Sequence, residues 1–248
     1  MSLLEINNLK VFAEDKEIVR GLSLTVKPGE VHVIMGQNGS GKSTLLNALA
    51  GHPKYRAEGS VKFDGKDLLA QKPHERARAG VFLAFQHPNE VSGVTLSSFL
   101  RRAYVARNGR EASVAEFEKI LVEKMRMLGM EHSFAERGVN EGFSGGEKKR
   151  SEILQLAVLE PRLAMLDELD SGLDVDALAK IAETLSMIRK PDTAVIIVTH
   201  YARILKNLKA DRVHVMRDGQ IVASGDGRLA VQLEENGYGW INSATAAP

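Results

Sequence analysis

The amino-acid sequence predicts an α/β fold with a mainly parallel sheet and an inserted helical lobe. Aliphatic runs of strand length alternate with segments of helical pattern along most of the chain. Such alternation is typical of parallel sheets, because each helix returns the chain to the same edge of the sheet. Between about residues 89 and 140 the strand runs give way to helical pattern, which indicates a lobe inserted between two parts of the sheet.

The length of 248 residues suits one large domain that carries such a lobe. We therefore expect a single domain over residues 1–248. Its core is predicted at about residues 1–88 and 160–248, and the helical lobe at about residues 89–159.

Composition excludes several classes of function. The net charge of +1 gives no electrostatic case for a nucleic-acid partner. The sequence contains no cysteine, so this chain forms neither a disulfide nor a thiolate metal site. Aliphatic runs such as Ala194–Val198 are far shorter than the roughly 20 residues of a membrane span, and the N-terminus lacks the pattern of a signal peptide. We expect a cytoplasmic protein without direct membrane insertion.

The first part of the chain predicts two strands, a buried strand and a helix in succession. Leu3–Asn8 and Ile18–Val26 have strand character, and the apolar run Val31–Met35 is typical of a central strand. Lys42–Ala50 then contains strong helix formers and is followed by Gly51, a residue suited to ending a helix.

The predicted lobe contains one strongly amphipathic helix. Apolar residues recur at three- and four-residue steps at Val114, Phe117, Leu121, Met125 and Leu128. Ser113 and Glu116 have the spacing of a capping box, and Gly129 follows the last apolar residue. We interpret the apolar stripe as part of the core of the lobe.

Further strand-length runs complete the predicted sheet. They are Val81–Phe85, Leu163–Leu166, Ala194–Val198, Arg212–Met216 and Ile221–Ala223. The segment Asp176–Ile188 has helical character and separates two of these runs.

A glycine-rich loop at residues 36–44 matches the pattern G-x-x-x-x-G-K-[ST] between a predicted strand and a predicted helix. Backbone N–H groups of such a loop surround phosphates, the lysine contacts the β- and γ-phosphates, and the serine hydroxyl binds Mg²⁺. The candidate nucleotide-binding residues are Gly36, Asn38, Gly39, Ser40, Gly41, Lys42, Ser43 and Thr44.

The apolar run Leu163–Leu166 ends in two acids, Asp167 and Glu168. Polar side chains that follow a buried strand lie at the sheet edge where ligands bind. Asp167 is therefore a candidate Mg²⁺ ligand, and Glu168 is a candidate catalytic residue that polarises the attacking water. Lys42 and His200 are the other two candidate catalytic residues.

Two further polar residues follow predicted central strands. Gln86 comes directly after Val81–Phe85, where an amide can ligate Mg²⁺ and contact the γ-phosphate. His200 follows Ala194–Val198 at the same predicted edge and is a candidate contact of the γ-phosphate.

A second glycine motif, Phe143–Glu147, precedes a helical run. Ser144, Gly145, Gly146 and Glu147 thus form a second anion site at a helix N-terminus. One triphosphate rarely needs two such loops, so we expect this motif to contact the ATP held by another subunit. We interpret the basic residues that follow it, Lys148–Arg150, as a solvated helix face.

This set of motifs, in this order, resembles the ATP-binding-cassette (ABC) ATPases over nearly the entire chain. The resemblance implies an N-terminal antiparallel β-subdomain, ATP hydrolysis with Mg²⁺, and a head-to-tail dimer that holds two ATP molecules. It identifies Gln86 with the Q-loop, Ser144–Glu147 with the signature, Asp174 with the D-loop and His200 with the switch histidine.

The residues within and beside these motifs narrow the resemblance to the SufC-type ATPases of iron–sulfur cluster assembly. The similar segments are Phe143–Arg150, Asp167–Leu178, Thr199–Tyr201 and Gly237–Trp240. The resemblance implies SufB- and SufD-like scaffold partners, an ATP-dependent homodimer within their complex, and no membrane subunit. Because the chain lacks cysteine, any thiolate-bound cluster would form on a partner. The segment His87–Phe99 is the candidate docking site.

Two alternatives remain open from the sequence. One is the ATPase of an ABC membrane transporter with a separate transmembrane subunit, because both uses need the same dimer. The other is an ATP-gated interaction module without hydrolysis, which the candidate catalytic carboxylate of Glu168 disfavours.

Overall fold

The computed structural model describes residues 1–109, 111–169, 175–201, 205, 208–239 and 241. The strands are β1 (Leu4–Ala13), β2 (Lys16–Val26), β3 (Val31–Met35), β4 (Tyr55–Phe63), β5 (Lys66–Asp67), β6 (Val81–Ala84), β7 (Val91–Thr95), β8 (Gly138–Val139), β9 (Leu163–Asp167), β10 (Ala194–Val198), β11 (Arg212–Arg217) and β12 (Gln220–Gly225). The helices are α1 (Lys42–Ala50), α2 (Pro73–Ala79), α3 (Leu96–Asn108), α4 (Val114–Met127), α5 (Ser133–Glu136), α6 (Gly145–Leu159), α7 (Val175–Ile188) and α8 (Gly227–Asn236).

A central sheet carries the fold, with its strands in the order β12-β11-β3-β10-β9-β6. All neighbouring pairs from β11 to β6 are parallel, and β12 pairs antiparallel with β11. Every residue of β3, β9 and β10 is buried, which explains their nearly continuous apolar runs. The predicted α/β fold with a mainly parallel sheet is confirmed.

The N-terminal sheet has the order β2-β1-β4-β5 and is antiparallel throughout. Its inward-facing residues pack with α1 and with one face of the central sheet in a shared apolar core. The antiparallel β-subdomain that the resemblance implied is therefore present. The strand β4 did not stand out in the sequence, because most of its residues before Val61 are polar or exposed.

The helices α3 to α6 pack around an apolar core of their own, which includes Leu100, Phe117, Leu121 and Leu154. The predicted capping box of α4 is formed, since Ser113 and Glu116 exchange hydrogen bonds at its start. The strands β7 and β8 pair antiparallel as a short ribbon beside this core. Across the described residues, no helix has the length and apolar character needed to cross a membrane.

Candidate active site

The phosphate loop, residues 36–44, connects the buried strand β3 to the helix α1. Gly41 stands at the N-cap of α1 with φ of 102°, a left-handed conformation that favours glycine. A Cβ atom at Gly36 would lie 2.2 Å from the carbonyl oxygen of Met216, so a side chain there would clash with backbone. These two glycines allow the loop to curl closely over the start of α1.

Lys42 and Ser40 place polar groups inside this loop. The buried Lys42 side chain curls back, and its Nζ donates to the carbonyl oxygens of Gly36 at 2.8 Å and Gln37 at 3.0 Å. Burial lowers the pKa of Lys42, and the nearby carboxylates of Glu168 and Asp167 oppose that shift. Within the described residues, the buried hydroxyl of Ser40 has no hydrogen-bond partner, as expected of a group that serves a ligand.

Ser43 and Asp167 meet at the carboxyl end of β9. The Ser43 hydroxyl donates to Asp167 Oδ1 at 3.0 Å, and Asp167 is buried. Burial raises the pKa of Asp167 to about 6, and the hydrogen bond from Ser43 opposes the shift. A hydroxyl and a carboxylate side by side are the oxygen donors that Mg²⁺ prefers, so these residues fit the predicted metal.

Glu168 lies between Gln86 and His200. Its Oε2 accepts from Gln86 Nε2 at 2.5 Å, and its Oε1 accepts from His200 Nε2 at 3.0 Å. The residue has a φ of 47°, and its backbone N–H donates to the Val198 carbonyl at 3.0 Å. The chain thus turns sharply after β9, and the carboxylate is held on both oxygens.

Lys149 joins this network, although the sequence did not single it out. Its side chain is only 6% exposed, and its Nζ donates to the backbone carbonyls of Gln86 at 3.4 Å and Glu168 at 3.3 Å. The interpretation of residues 148–150 as a solvated face is therefore wrong for Lys149. Lys148 pairs with Glu90, and Arg150 is exposed.

The signature residues form the start of α6. Ser144 is the N-cap, and its hydroxyl accepts from the Glu147 N–H at 3.3 Å. Glu147 Oε2 in turn accepts from the Ser144 N–H and hydroxyl, both at 2.8 Å. Gly145 and Gly146 are exposed, and no atom within 4 Å would meet a Cβ on either. The loop therefore presents open backbone to an incoming group.

The structure brings six of the predicted residues into one region at the carboxyl ends of β6, β9 and β10. They are Lys42, Ser43, Gln86, Asp167, Glu168 and His200. Asn38 and Gly39 lie exposed at the tip of the phosphate loop, and Thr44 is half-buried on α1. The hydrogen bonds of the signature stay within its own loop and Arg137. Asp174 lies outside the described residues.

Comparison with known proteins places these motifs in a family. Residues 19–171 match the profile of the family described as ABC transporter. A Synechocystis protein described as "Probable ATP-dependent transporter slr0075" is 48% identical over 252 residues, which cover 100% of this chain and 98% of that protein. "Vegetative protein 296" of Bacillus subtilis is 50% identical over 243 residues, which cover 97% of this chain and 93% of that protein.

Solved structures share the fold. The dimeric post-hydrolysis state of the ATP-binding cassette MJ0796 bound to ADP and Pi has a TM-score of 0.78 at 24% identity, covering 91% of this chain and 99% of that chain. A nucleotide-free ATP-binding cassette from an ABC transporter has a TM-score of 0.75 at 26% identity, covering 94% of each chain.

Proposed function

Because the chain belongs to the ABC transporter ATPase family, we propose that it is the ATP-hydrolysing motor of a soluble iron–sulfur cluster assembly complex. The family assignment makes the chain an ATPase that uses Mg²⁺. The finer proposal has two parts: the role of each residue in hydrolysis, and the partner that the motor drives.

The observation that carries the catalytic part is the position of Glu168 between Gln86 and His200. A carboxylate held on both oxygens beside the phosphate loop is suited to orient a water and accept its proton. Lys42 would contact the β- and γ-phosphates, and His200 the γ-phosphate. Ser43, Asp167 and Gln86 would hold Mg²⁺, which supplies positive charge to the phosphate oxygens when bound.

The proposed cycle needs two copies of the chain. The signature residues Ser144–Glu147 form an open helix N-terminus whose hydrogen bonds do not reach the phosphate loop of the same chain. A helix N-terminus of this kind suits an anion. The related MJ0796 cassette is described as a dimer with ADP and Pi. These observations favour a head-to-tail dimer in which the signature of one copy faces the ATP of the other.

The proposed role in iron–sulfur cluster assembly depends on the sequences of the motifs and on the composition of the chain. The segments Phe143–Arg150 and Asp167–Leu178 resemble SufC-type ATPases. The chain has no cysteine, so a thiolate-bound cluster would form on another subunit. A SufB- or SufD-like scaffold would then carry the cluster in the cytoplasm, and this chain would drive its change of conformation.

An apolar patch on both sides of Gln86 in the sequence is the proposed docking surface for that scaffold. Phe85, Val91, Val94 and Phe99 are exposed large apolar residues within a short segment. Exposed apolar residues grouped in this way mark interaction sites more often than isolated ones do. The patch begins one residue before Gln86, so a scaffold bound there would sense the position of a residue that contacts Glu168.

Substitutions that introduce charge into this patch are expected to weaken binding of the scaffold. Glu90 and Gly93 lie in the same segment but are unsuitable for this test. Glu90 pairs with Lys148, and the φ of 77° at Gly93 suits glycine. We therefore choose the double variant Val91→Asp/Val94→Asp. Because two exposed apolar residues that the scaffold would cover become charged, we expect at least about tenfold weaker binding to a SufB/SufD-like scaffold complex, measured by titration calorimetry.

Val122→Asp is the matched control, because Val122 is similarly exposed on α4, at 45% against 42% for Val91. This control and the double variant should bind Mg-ATP as the parent does. Unchanged scaffold affinity in the double variant would contradict docking on this patch, and equal losses in both variants would contradict its specificity.

A second candidate function is the ATPase of a membrane transporter. The names of several relatives favour it, including "Probable ATP-dependent transporter ycf16" of Cyanophora paradoxa, which is 49% identical over 246 residues. Anaerobic affinity purification from native cells, with partner identification and iron assay, distinguishes the two. Soluble partners that carry iron or labile sulfide support the assembly motor. A polytopic membrane partner contradicts it and favours transport.

A further inference from the structure

The signature contains an acidic residue close to the proposed site of a second ATP. Glu147 is the third residue of α6, and both of its carboxylate oxygens are engaged near Ser144 and Arg137. The hydrogen bonds from the Ser144 backbone and then from Arg137 lower the pKa of Glu147 to about 2. The side chain is therefore a carboxylate at neutral pH. An uncompensated negative charge there would repel the phosphates of an approaching ATP.

Arg137 supplies the opposite charge. Its Nη1 donates to Glu147 Oε1 at 2.5 Å, and its Nη2 donates to the Gly142 carbonyl at 3.3 Å. The guanidinium also lies 4.2 Å from the centre of the Phe143 ring and 5.5 Å from that of Phe134. One side chain thus contacts the acid of the signature and the segment that leads into it.

The contact of Arg137 with the signature joins two different elements and depends on the shape of the guanidinium group. Arg137 is the C-cap of α5 and directly precedes β8, so it lies outside the element that carries the signature. Planar guanidinium groups combine a fixed fork of donors with stacking on aromatic rings, which a lysine does not reproduce. The Phe134 and Phe143 rings, 4.6 Å apart between centres, provide that stacking surface.

We infer that Arg137 is a positioning residue of the signature, which cancels the charge of Glu147 and holds Ser144–Gly146 open toward the ATP of a second copy. The role rests on the ATP-dependent dimer of the proposed function and is independent of iron–sulfur assembly. The negative charge of Glu147 requires a cationic partner. A neutral glutamine at residue 147 would need no such partner.

The test compares four chains in a Glu168→Gln background, in which the expected loss of hydrolysis would keep ATP bound. They are the parent, Arg137→Gln, Glu147→Gln, and the double variant Arg137→Gln/Glu147→Gln. The midpoint ATP concentration for dimerisation is measured by sedimentation velocity with Mg-ATP. We expect Arg137→Gln to raise that midpoint by about tenfold or more, because an unpaired carboxylate then faces the phosphates. Glu147→Gln and the double variant should stay within about threefold of the parent.

Two controls separate this role from loss of fold or of general positive charge. Arg150→Gln removes a charge from the same cleft, which Arg137, Glu147 and Arg150 line together, and should leave the midpoint within about twofold of the parent. Binding of a fluorescent ATP analogue to the monomer should be equal in all chains, because Arg137 makes its hydrogen bonds and ring contacts with the signature and the segment before it.

Recovery in the double variant is the decisive result, since loss of structure at residue 137 alone would not be repaired by a change at residue 147. A double variant as impaired as Arg137→Gln would overturn the inference, and so would an Arg137→Gln chain that dimerises like the parent. Equal loss in Arg150→Gln would also overturn it. If the parent itself fails to dimerise with ATP, the proposed dimer fails, and this role fails with it.

Discussion

The carboxylate of Glu168 is the side chain on which the proposed chemistry depends. The sequence predicted its place after β9, and the structure adds that Gln86 and His200 hold its two oxygens. These partners come from the ends of different strands of the central sheet. A change at either strand end would therefore be transmitted to the candidate catalytic group through a hydrogen bond.

Replacement of Glu168 by glutamine tests this assignment most directly. The amide preserves the size of the side chain but does not accept a proton, so we expect the ATPase rate to fall by roughly 100-fold or more. Binding of Mg-ATP should remain. The measurement is phosphate release at saturating ATP, with Glu123→Gln on the exposed face of α4 as the control. Turnover near the parental rate would show that Glu168 is not the general base.

Single residues also show the limit of sequence analysis. Gln86, Asp167 and His200 were predictable because each follows a buried strand at the sheet edge. Lys149 was not, because its partners are backbone carbonyls of residues distant in the sequence. Arg137 was not, because its acidic partner lies on a different element. A lysine in a basic run has the same local pattern whether its Nζ lies in water or against two carbonyl oxygens.

Among the helices, α6 has an unusual position because it contacts two apolar cores. Ile153 and Leu156 pack with the central sheet, and Leu154 and Val158 pack with the core of α3 to α6. A helix buried on both sides shows little amphipathic periodicity, so polar residues inside it are hard to recognise from sequence. Glu152 is such a residue.

Glu152 connects α6 to the end of β6. Its Oε1 accepts from the Phe85 N–H at 2.8 Å, and within the described residues its Oε2 has no hydrogen-bond partner. Burial raises the pKa of Glu152 to about 7. The folded chain therefore holds this proton between about pH 4.5 and pH 7, where the unfolded chain has released it. This residue lowers stability progressively as pH rises through that window.

Glu152→Gln should remove this penalty, because the amide still accepts from Phe85 and carries no charge. We expect the free energy of unfolding of the variant, relative to the parent, to increase by about 2 kcal/mol between pH 5 and pH 8. Urea denaturation at the two pH values measures the change. The same substitution at the exposed Glu123 should give no pH-dependent difference. A constant difference for Glu152→Gln would exclude a buried, ionisable carboxyl at this position.

Strands and helices were predictable in proportion to the strength of their local pattern. Ala194–Val198 and Lys42–Ala50 agree with the predicted bounds, because continuous apolar residues and a closing Gly51 mark them. The ribbon of β7 and β8 escaped prediction, because its two strands are short and are brought together by the intervening helices. The bounds of the lobe, at about residues 89–159, stay a prediction.

For the chain as a whole, the proposed function predicts a change of oligomeric state with nucleotide. Glu168→Gln should be a monomer without nucleotide and a dimer with Mg-ATP, because closure needs the phosphates of both ATP molecules. Sedimentation velocity measures the mass under each condition. Adding Lys42→Ala should abolish the response, because it removes the lysine that contacts the phosphates. A mass that is independent of Mg-ATP in the Glu168→Gln chain would contradict an ATP-driven dimer.

The strand order of the central sheet also has a consequence for how the chain is made. The strand β3, which leads into the phosphate loop, pairs with β10 and β11, and these are synthesised long after it. Contacts between distant parts of a chain form slowly, because a long loop must close first. The N-terminal sheet joins strands that are near in sequence, so we expect it to form first on the ribosome. The phosphate loop would have both neighbouring strands beside β3 only after Val215 has emerged, so we expect nucleotide to assist folding only late in synthesis.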